Sequence, residues 1–245
     1  MFFIQYHQSH YFVYILAKHP AVDPVPTIAT TLYDRLRNDL LAGRHRPGSK
    51  LTLEPLMGLY GAGQTPLREA LNRLVADGLV ERRDQRGFVV PPISRTDLIE
   101  ITETRCWLEE IGLRQSMARA EAAWEDALVL AQHRLARIPR LAQPDTYEEN
   151  PVWEAQHRAL HEALLSGCGS RWLIRFCQQL ADQWYRYRQL TVLRAANERH
   201  VNDEHAAIVA AVLARDADAA VAHLLSHYRR TAEVLLNDAR LWADT

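Results

Sequence analysis

Leu67, Ala70, Leu71, Leu74 and Val75 fall at i, i+3, i+4, i+7 and i+8, the spacing of one apolar face of a helix. The opposite face carries Gln64, Thr65, Arg68 and Asn72. Ala62-Gly63 forms a turn before it, Thr65-Pro66 suits a first helical turn, and Gly78 closes the segment. Upstream, Ile28, Leu32, Leu36 and Leu40 predict a helix that starts at Thr27 and ends at Gly43. Arg46 to Ser49 reads as a turn. Thr52 is placed to N-cap a short helix with Pro55 in its first turn and Leu53, Leu56 and Tyr60 facing inward. Downstream, Leu79–Arg83 and Phe88–Val90 flank a turn at Asp84–Gly87 and predict a hairpin. Three helices followed by a hairpin make a winged helix-turn-helix, with the Gln64 helix in the position that enters a major groove and Arg86-Gly87 at the wing tip.

Beyond Pro91-Pro92 the pattern is helical only. Ser94-Arg95-Thr96-Asp97 reads as a capping box. Breaks at Pro139, Gln143-Pro144-Asp145, Pro151 and Gly167-Cys168-Gly169 divide the rest into six or seven helices. The fold expected is mainly α: a flexible N-terminal extension over 1–26, a winged helix-turn-helix over 27–92, and an all-helical effector-binding and dimerisation domain over 93–240.

Composition sharpens this picture at one point. The chain of 245 residues is 48% hydrophobic with net charge −1, so no global charge draws it to nucleic acid. Residues 27–92 nevertheless hold ten basic and seven acidic side chains, a local balance of +3. A basic module joined to an acidic one fits a polyanion contact. The three cysteines show no CxxC spacing, and no apolar run reaches the roughly 20 residues of a membrane span. Both features lead to the expectation of a cytoplasmic protein with no membrane contact.

Pro47-Gly48-Ser49-Lys50-Leu51, Thr65–Leu71, Asp77-Gly78-Leu79 and Arg86–Val90 occur in the order seen in GntR-type transcription regulators, which this stretch resembles. The resemblance implies a double-stranded, palindromic operator read by a homodimer. It places Thr65, Pro66, Arg68 and Gly87 at DNA-contacting positions; Gln64 and Asn72 are added from the helix face they share with Arg68, and Arg86 from the wing tip beside Gly87. The family usually has Ser-Arg before Thr-Pro, whereas this chain has Gly63-Gln64. A capping hydroxyl and a guanine-reading arginine are therefore missing, and base preference is expected to differ.

In the helical half, polar groups on apolar stripes are the candidates for chemistry. Arg105 lies on the line Leu98, Ile101, Leu108, where it serves either as half of a structural ion pair or as a fork for a carboxylate. His157 and His161, four residues apart, can grip one metal ion, and His205 and His227 lie on inward stripes of two further helices. His223, one turn before His227, is a rival for its place. No inward acid is read near them. Trp184, Tyr185 and Arg188 could line a pocket, Arg188 as a second carboxylate contact.

Arg105 with Leu108-Glu109, His161-Glu162-Ala163-Leu164-Leu165, Glu204-His205 and His227 resemble the FCD effector domain of the FadR-like GntR subgroup. That resemblance implies a divalent metal held by His161, His205 and His227, beside a small carboxylate effector contacted by Arg105. The family's aspartate falls on His157, and an all-imidazole set favours zinc or nickel. The run from His157 to Ser170 is similar to carbon-starvation-induced, glutarate-sensing repressors, which points to a C5 dicarboxylate. The expected function is a repressor whose operator affinity is set by a carboxylate at the metal. The alternatives are a FadR-like regulator with a metal-free acyl-CoA pocket and a metal-dependent hydrolase. The hydrolase is disfavoured because His157–His161 lacks the glutamate of an HExxH helix; no enzyme is expected.

Overall fold

The computed structural model describes residues 27–143, 149–190 and 201–242; the predicted extension over 1–26 lies outside them. Helix α1 (Ile28–Leu41) is capped by the Thr27 hydroxyl, which accepts a bond from Thr30 N. It buries Ala29, Leu32, Leu36, Leu40 and Leu41. Ile28, expected on that stripe, is exposed. Four residues turn a helix by about 400°, so a strict i+4 row drifts about 40° per step, and by Ile28 the row has left the core. Helices α2 (Leu53–Tyr60) and α3 (Gln64–Ala76) follow, with Gly61 at φ +63° making the tight turn between them. Thr52 occupies the N-cap of α2 but makes no side-chain cap bond, and Gly63 caps α3 with none to offer. Leu67, Ala70, Leu71 and Leu74 close the head core against Leu36 and Leu79. Each fully buried leucine stabilises that core by about 1.5–3 kcal/mol.

The wing is a three-stranded antiparallel sheet in the order β1 (Lys50–Leu51), β3 (Gly87–Val89), β2 (Glu81–Arg83), with Lys50 opposite Val89 and Arg82 opposite Phe88. The hairpin was readable from the sequence. Strand β1 was not, because two residues are too few to show an alternation.

Six helices follow among the described residues: α4 (Arg95–Ala118), α5 (Ala122–Ala136), α6 (Pro151–Ser166), α7 (Arg171–Leu190), α8 (Val201–Leu213) and α9 (Ala217–Asn237). Ser94 Oγ caps α4 by accepting from Asp97 N at 3.0 Å. The reciprocal arm of the expected capping box is absent: the Asp97 carboxylate takes the Tyr187 hydroxyl, and Ser94 N donates to that same oxygen. Leu113, Leu128, Leu160, Ile208 and Leu224 centre the bundle core. No helix among the described residues is long and apolar enough to cross a membrane.

Helix α7 joins the two halves. Gln183 Nε2 donates to Gly78 O just past α3 (2.8 Å), Arg186 donates to Pro91 O in the linker (2.7 Å), and Arg37 of α1 donates to Asp182 (2.5 Å). Gly78 has φ +75°, and a Cβ there would stand 3.3 Å from Gln183 Nε2. Glycine thus both ends the helix and lets α7 come close.

Candidate functional site

The head presents a polar cleft between α3 and the wing. Gln64, Thr65, Arg68 and Asn72 are exposed on α3, Pro66 is half-buried in its first turn, and Arg86 and Gly87 are exposed at the wing tip. Arg68, Asn72, Arg86 and Gly87 line the cleft together with Lys50 and Arg82. The sequence reading missed Lys50 and Arg82; β1 and β2 flank β3 on either side, and each contributes one cation to the cleft lining. Side chains that reach out of a fixed backbone, cations beside amides, can contact base edges and phosphates at once.

In the bundle, α6 carries His157 and His161, α8 carries His205 and α9 carries His227; all four are buried. Their candidate ligand atoms lie within 4.8 Å of one another. His223 is exposed and takes no part, which leaves the site to its rival.

Three of the four rings are anchored at Nδ1. His157 Nδ1 faces Glu154 Oε2 at 3.2 Å, His227 Nδ1 faces Glu204 Oε2 at 2.8 Å, and His161 Nδ1 faces the Tyr228 hydroxyl at 2.8 Å. Tyr228 donates its own proton to Glu109, so the His161 bond is assigned to an Nδ1–H donor. The Glu204 carboxylate assigns the same tautomer to His227, whereas His157 Nδ1 stands between Glu154 Oε2 and Arg188 Nη1, 3.3 Å away. The Nε2 atoms of His157 and His161 stand 3.1 Å apart, close enough to share one proton or one cation. Burial, reinforced by the charge of Arg188 at His157 and by the neighbouring imidazoles at His161, holds both rings well below the ordinary histidine pKa. They are neutral, the form that coordinates metal.

The donor set fits a divalent ion. Nitrogens bound at about 2.1 Å to one ion stand about 3 Å apart when adjacent and at most about 4.2 Å apart, so small ring rotations would bring four to bonding distance. Carboxylates that orient imidazoles from behind are the usual outer support of such centres. Trp153 stacks on His157 at 4.7 Å and shields that side from water.

Arg105 and Arg188 both reach the site, and neither is a bare fork. Arg105 Nε is 2.6 Å from Glu109 Oε1, and its Nη2 donates to Tyr228. Arg188 Nη2 is bonded to Glu149 and to Glu154, the latter at 2.9 Å. Burial would lower both guanidinium pKa values, but the paired carboxylates outweigh it and raise them. The expectation that no inward acid lies near the histidines is corrected: Glu109 and Glu154 are both buried beside them. Glu109 sits one turn after Arg105 on the same stripe and could have been found there. Glu154 lies on the flank of the His157 stripe and is turned inward by Arg188. Both are tied up by arginines.

A cavity of about 360 Å³ opens on this centre; its inner wall includes His157, His161, Arg105, Trp184 and Arg188, and its outer end reaches Tyr33 and Arg37 of α1. Cys177 also lines it, but burial and Glu109 push its thiol up to about 12, so it is protonated and a poor ligand.

These two sites meet known proteins in the same order. Residues 28–90 match the gntR family of bacterial regulatory proteins, and residues 100–230 match the FCD domain. Along its length the chain is 37% identical to the HTH-type transcriptional regulator BphR of Paraburkholderia xenovorans LB400, covering 86% of this chain and 89% of that one. It is 34% identical to the HTH-type transcriptional repressor GlaR of Escherichia coli K12, covering 75% and 84%. Among solved structures, E. coli McbR/YncC superposes with a TM-score of 0.67 at 21% identity, covering 86% of this chain and 98% of that one, which supports the fold. The chain therefore belongs to the gntR family of bacterial regulatory proteins, with an FCD domain behind its winged helix-turn-helix, and is a DNA-binding transcription regulator rather than an enzyme.

Proposed function

We propose that this regulator is a repressor whose operator affinity is set by a small carboxylate bound at a divalent metal held by His157, His161, His205 and His227. The observation that supports the reading is the arrangement of the four buried rings: their candidate ligand atoms lie within 4.8 Å of one another, Nδ1 is held from behind on three of them, and two Nε2 atoms stand 3.1 Å apart. When bound, the metal supplies a Lewis-acidic centre able to hold an oxygen anion. Imidazole coordinates as a neutral ligand, so four of them leave the charge of a dication uncompensated, and a buried site of that kind calls for an anion. Arg105 and Arg188 line the cavity beside the histidines and orient a carboxylate. Zinc or nickel suits the imidazole set.

On the DNA side, Gln64, Thr65, Pro66, Arg68 and Asn72 read the major groove, with Arg86 and Gly87 on the adjoining backbone. One head reads one half-site, so the working unit is a homodimer on a palindromic operator. The exposed Trp107 and Ile111 on α4, with Trp172 and Phe176 on the neighbouring α7, supply an apolar face for the second copy. The name of GlaR as a repressor supports the sign of regulation.

Elemental analysis and a thermal-shift screen of C4–C6 carboxylates, with and without chelator, test the reading. The expected result is about one divalent ion per chain and a carboxylate-induced rise in melting temperature that vanishes with chelator. Ligand at 100 times its Kd stabilises by about 2.7 kcal/mol. No stoichiometric metal, with acyl-CoA binding unaffected by chelator, would replace this reading with the metal-free one.

A further inference from the structure

We propose that Arg158 is a second anion-reading residue of the cavity, and that through Asp182 it carries occupancy of the cavity to Arg37 of the DNA-reading head. The assignment deepens the effector reading above and rests on it.

Arg158 lies on α6 next to His157 and lines the cavity. Its Nε is bonded to Glu154 at 2.9 Å and its Nη1 to Asp182 Oδ1 at 2.6 Å. Its Nη2 is buried and has no hydrogen-bond partner among the described residues. A buried, unpaired N–H of a cation costs free energy comparable to the bond it forgoes. The Tyr185 ring stands against the guanidinium at 4.7 Å and fixes its plane. The cavity thus has an inner anchor at the histidines and Arg105, and an outer guanidinium whose side chain is 26% exposed and whose buried, unpartnered Nη2 a small shift of Arg158 would turn to a ligand. A ligand that satisfies both carries two acceptor groups, at least one of them anionic. A dicarboxylate has that chemistry and a monocarboxylate lacks it.

The same guanidinium touches the head at one remove. Asp182 divides its carboxylate between Arg158 at Oδ1 and Arg37 of α1 at Oδ2, 2.5 Å away. One turn before Arg37, Tyr33 donates to Asp77 at 2.6 Å, at the C-cap of the DNA-reading helix, and the next residue of α7, Gln183, holds Gly78 O. Both α1 and the end of α3 are therefore docked on one turn of α7. An anion that draws Arg158 towards the cavity leaves Asp182 to Arg37 alone, and α1 is held more tightly to α7. Asp182 is a positioning residue here; it need not touch the ligand. The equilibrium between head placements then shifts because the ligand favours one of them.

Calorimetry on zinc-loaded full chain, with glutarate and butyrate as probes, tests the reading residue. In the wild type glutarate is expected to bind about tenfold or more tighter than butyrate, the worth of one charged hydrogen bond. Arg158→Met, loaded with zinc to saturation, should erase that ratio while it still binds butyrate as the wild type does. A ratio retained in Arg158→Met overturns the assignment and leaves the effector reading intact. No binding of either acid by the zinc-loaded wild type overturns both. Hydrogen exchange on the same proteins tests the coupling. Zinc with glutarate should slow exchange across residues 28–41 at least twofold in the wild type, and Asp182→Asn should abolish that slowing while protection in α6, α8 and α9 persists. Slowing of 28–41 that survives Asp182→Asn overturns the route through Asp182.

Discussion

In the head, Gln64, Arg68, Asn72 and Arg86 stand in water on a scaffold of leucines, and each can be exchanged without disturbing the core beneath. In the bundle, Arg105, Glu109, Glu154, His157, His161 and Arg188 are buried together, and each is held by at least one of the others. In the proposed reading both regions meet an anion, yet by opposite means. The polyanionic backbone of DNA is met by solvated charges whose desolvation on binding is shallow, and specificity comes from a helix placed rigidly by apolar packing. A small ligand is met inside the protein, where every charge must already be paired before the ligand arrives. Side chains in the head are therefore close to independent, whereas those in the bundle act as a unit.

That contrast can be broken first in the bundle. Glu109→Ala leaves the Arg105 guanidinium buried without its carboxylate and should cost about 3–5 kcal/mol of stability, read by chemical denaturation of the whole chain. If it cost less than about 1 kcal/mol, the network would not be a unit. In the head, Arg68→Ala should leave the melting temperature unchanged and weaken binding to an operator selected from genomic fragments by about 1–3 kcal/mol. Unchanged operator affinity would remove α3 from the reading role.

The protonation of the two regions should also differ. His157 and His161 have folded-state pKa values depressed by burial and by neighbouring positive charge. In the unfolded chain they take up protons below about pH 6.5. The unfolded state thus binds more protons, so stability falls as pH drops below about 6.5, by up to about 1 kcal/mol per pH unit for each ring. The effect is present in chelated protein and should largely disappear in His157→Gln/His161→Gln, as followed by melting curves between pH 7.5 and 5.5. A pH-independent melting temperature in chelated wild type would place these rings in solvent. The smallest effect concerns the cap of α3: Gly63→Ser supplies the missing hydroxyl and should raise stability by a few tenths of a kcal/mol, with operator affinity held or improved.

The legibility of the two regions differs for the same physical reason. A helix packed on one side announces itself by period, so Leu67, Ala70, Leu71 and Leu74 located the buried face of α3 from the sequence, and the polar residues between them its exposed one. Short pairing leaves no period, so β1 was missed, and with it Lys50. In the bundle, the inward histidines were legible because histidine is conspicuous on an apolar stripe. Their anchors were not all so: Glu109 shares a stripe with Arg105, but Glu154 and Glu149 meet at Arg188, which arrives from another helix, with Arg158 and Arg140 as their second partners. Whether Arg105 was an ion pair or a free fork could not be read from one helix at all; Glu109 and Tyr228 decide it together.

The sequence by itself determined the order of the head's helices and hairpin, the exposed polar face of α3, the four inward histidines and the family to which the chain belongs, since each rests on local spacing or on residue type. Only the tertiary structure decided that the histidines converge within 4.8 Å, that His223 stays outside, and that Asp182 is shared between a cavity arginine and the head. Such facts depend on distances between side chains far apart in the chain. Those distances are fixed by how helices pack, and the packing is set by the summed burial of many apolar groups rather than by any residue at the site.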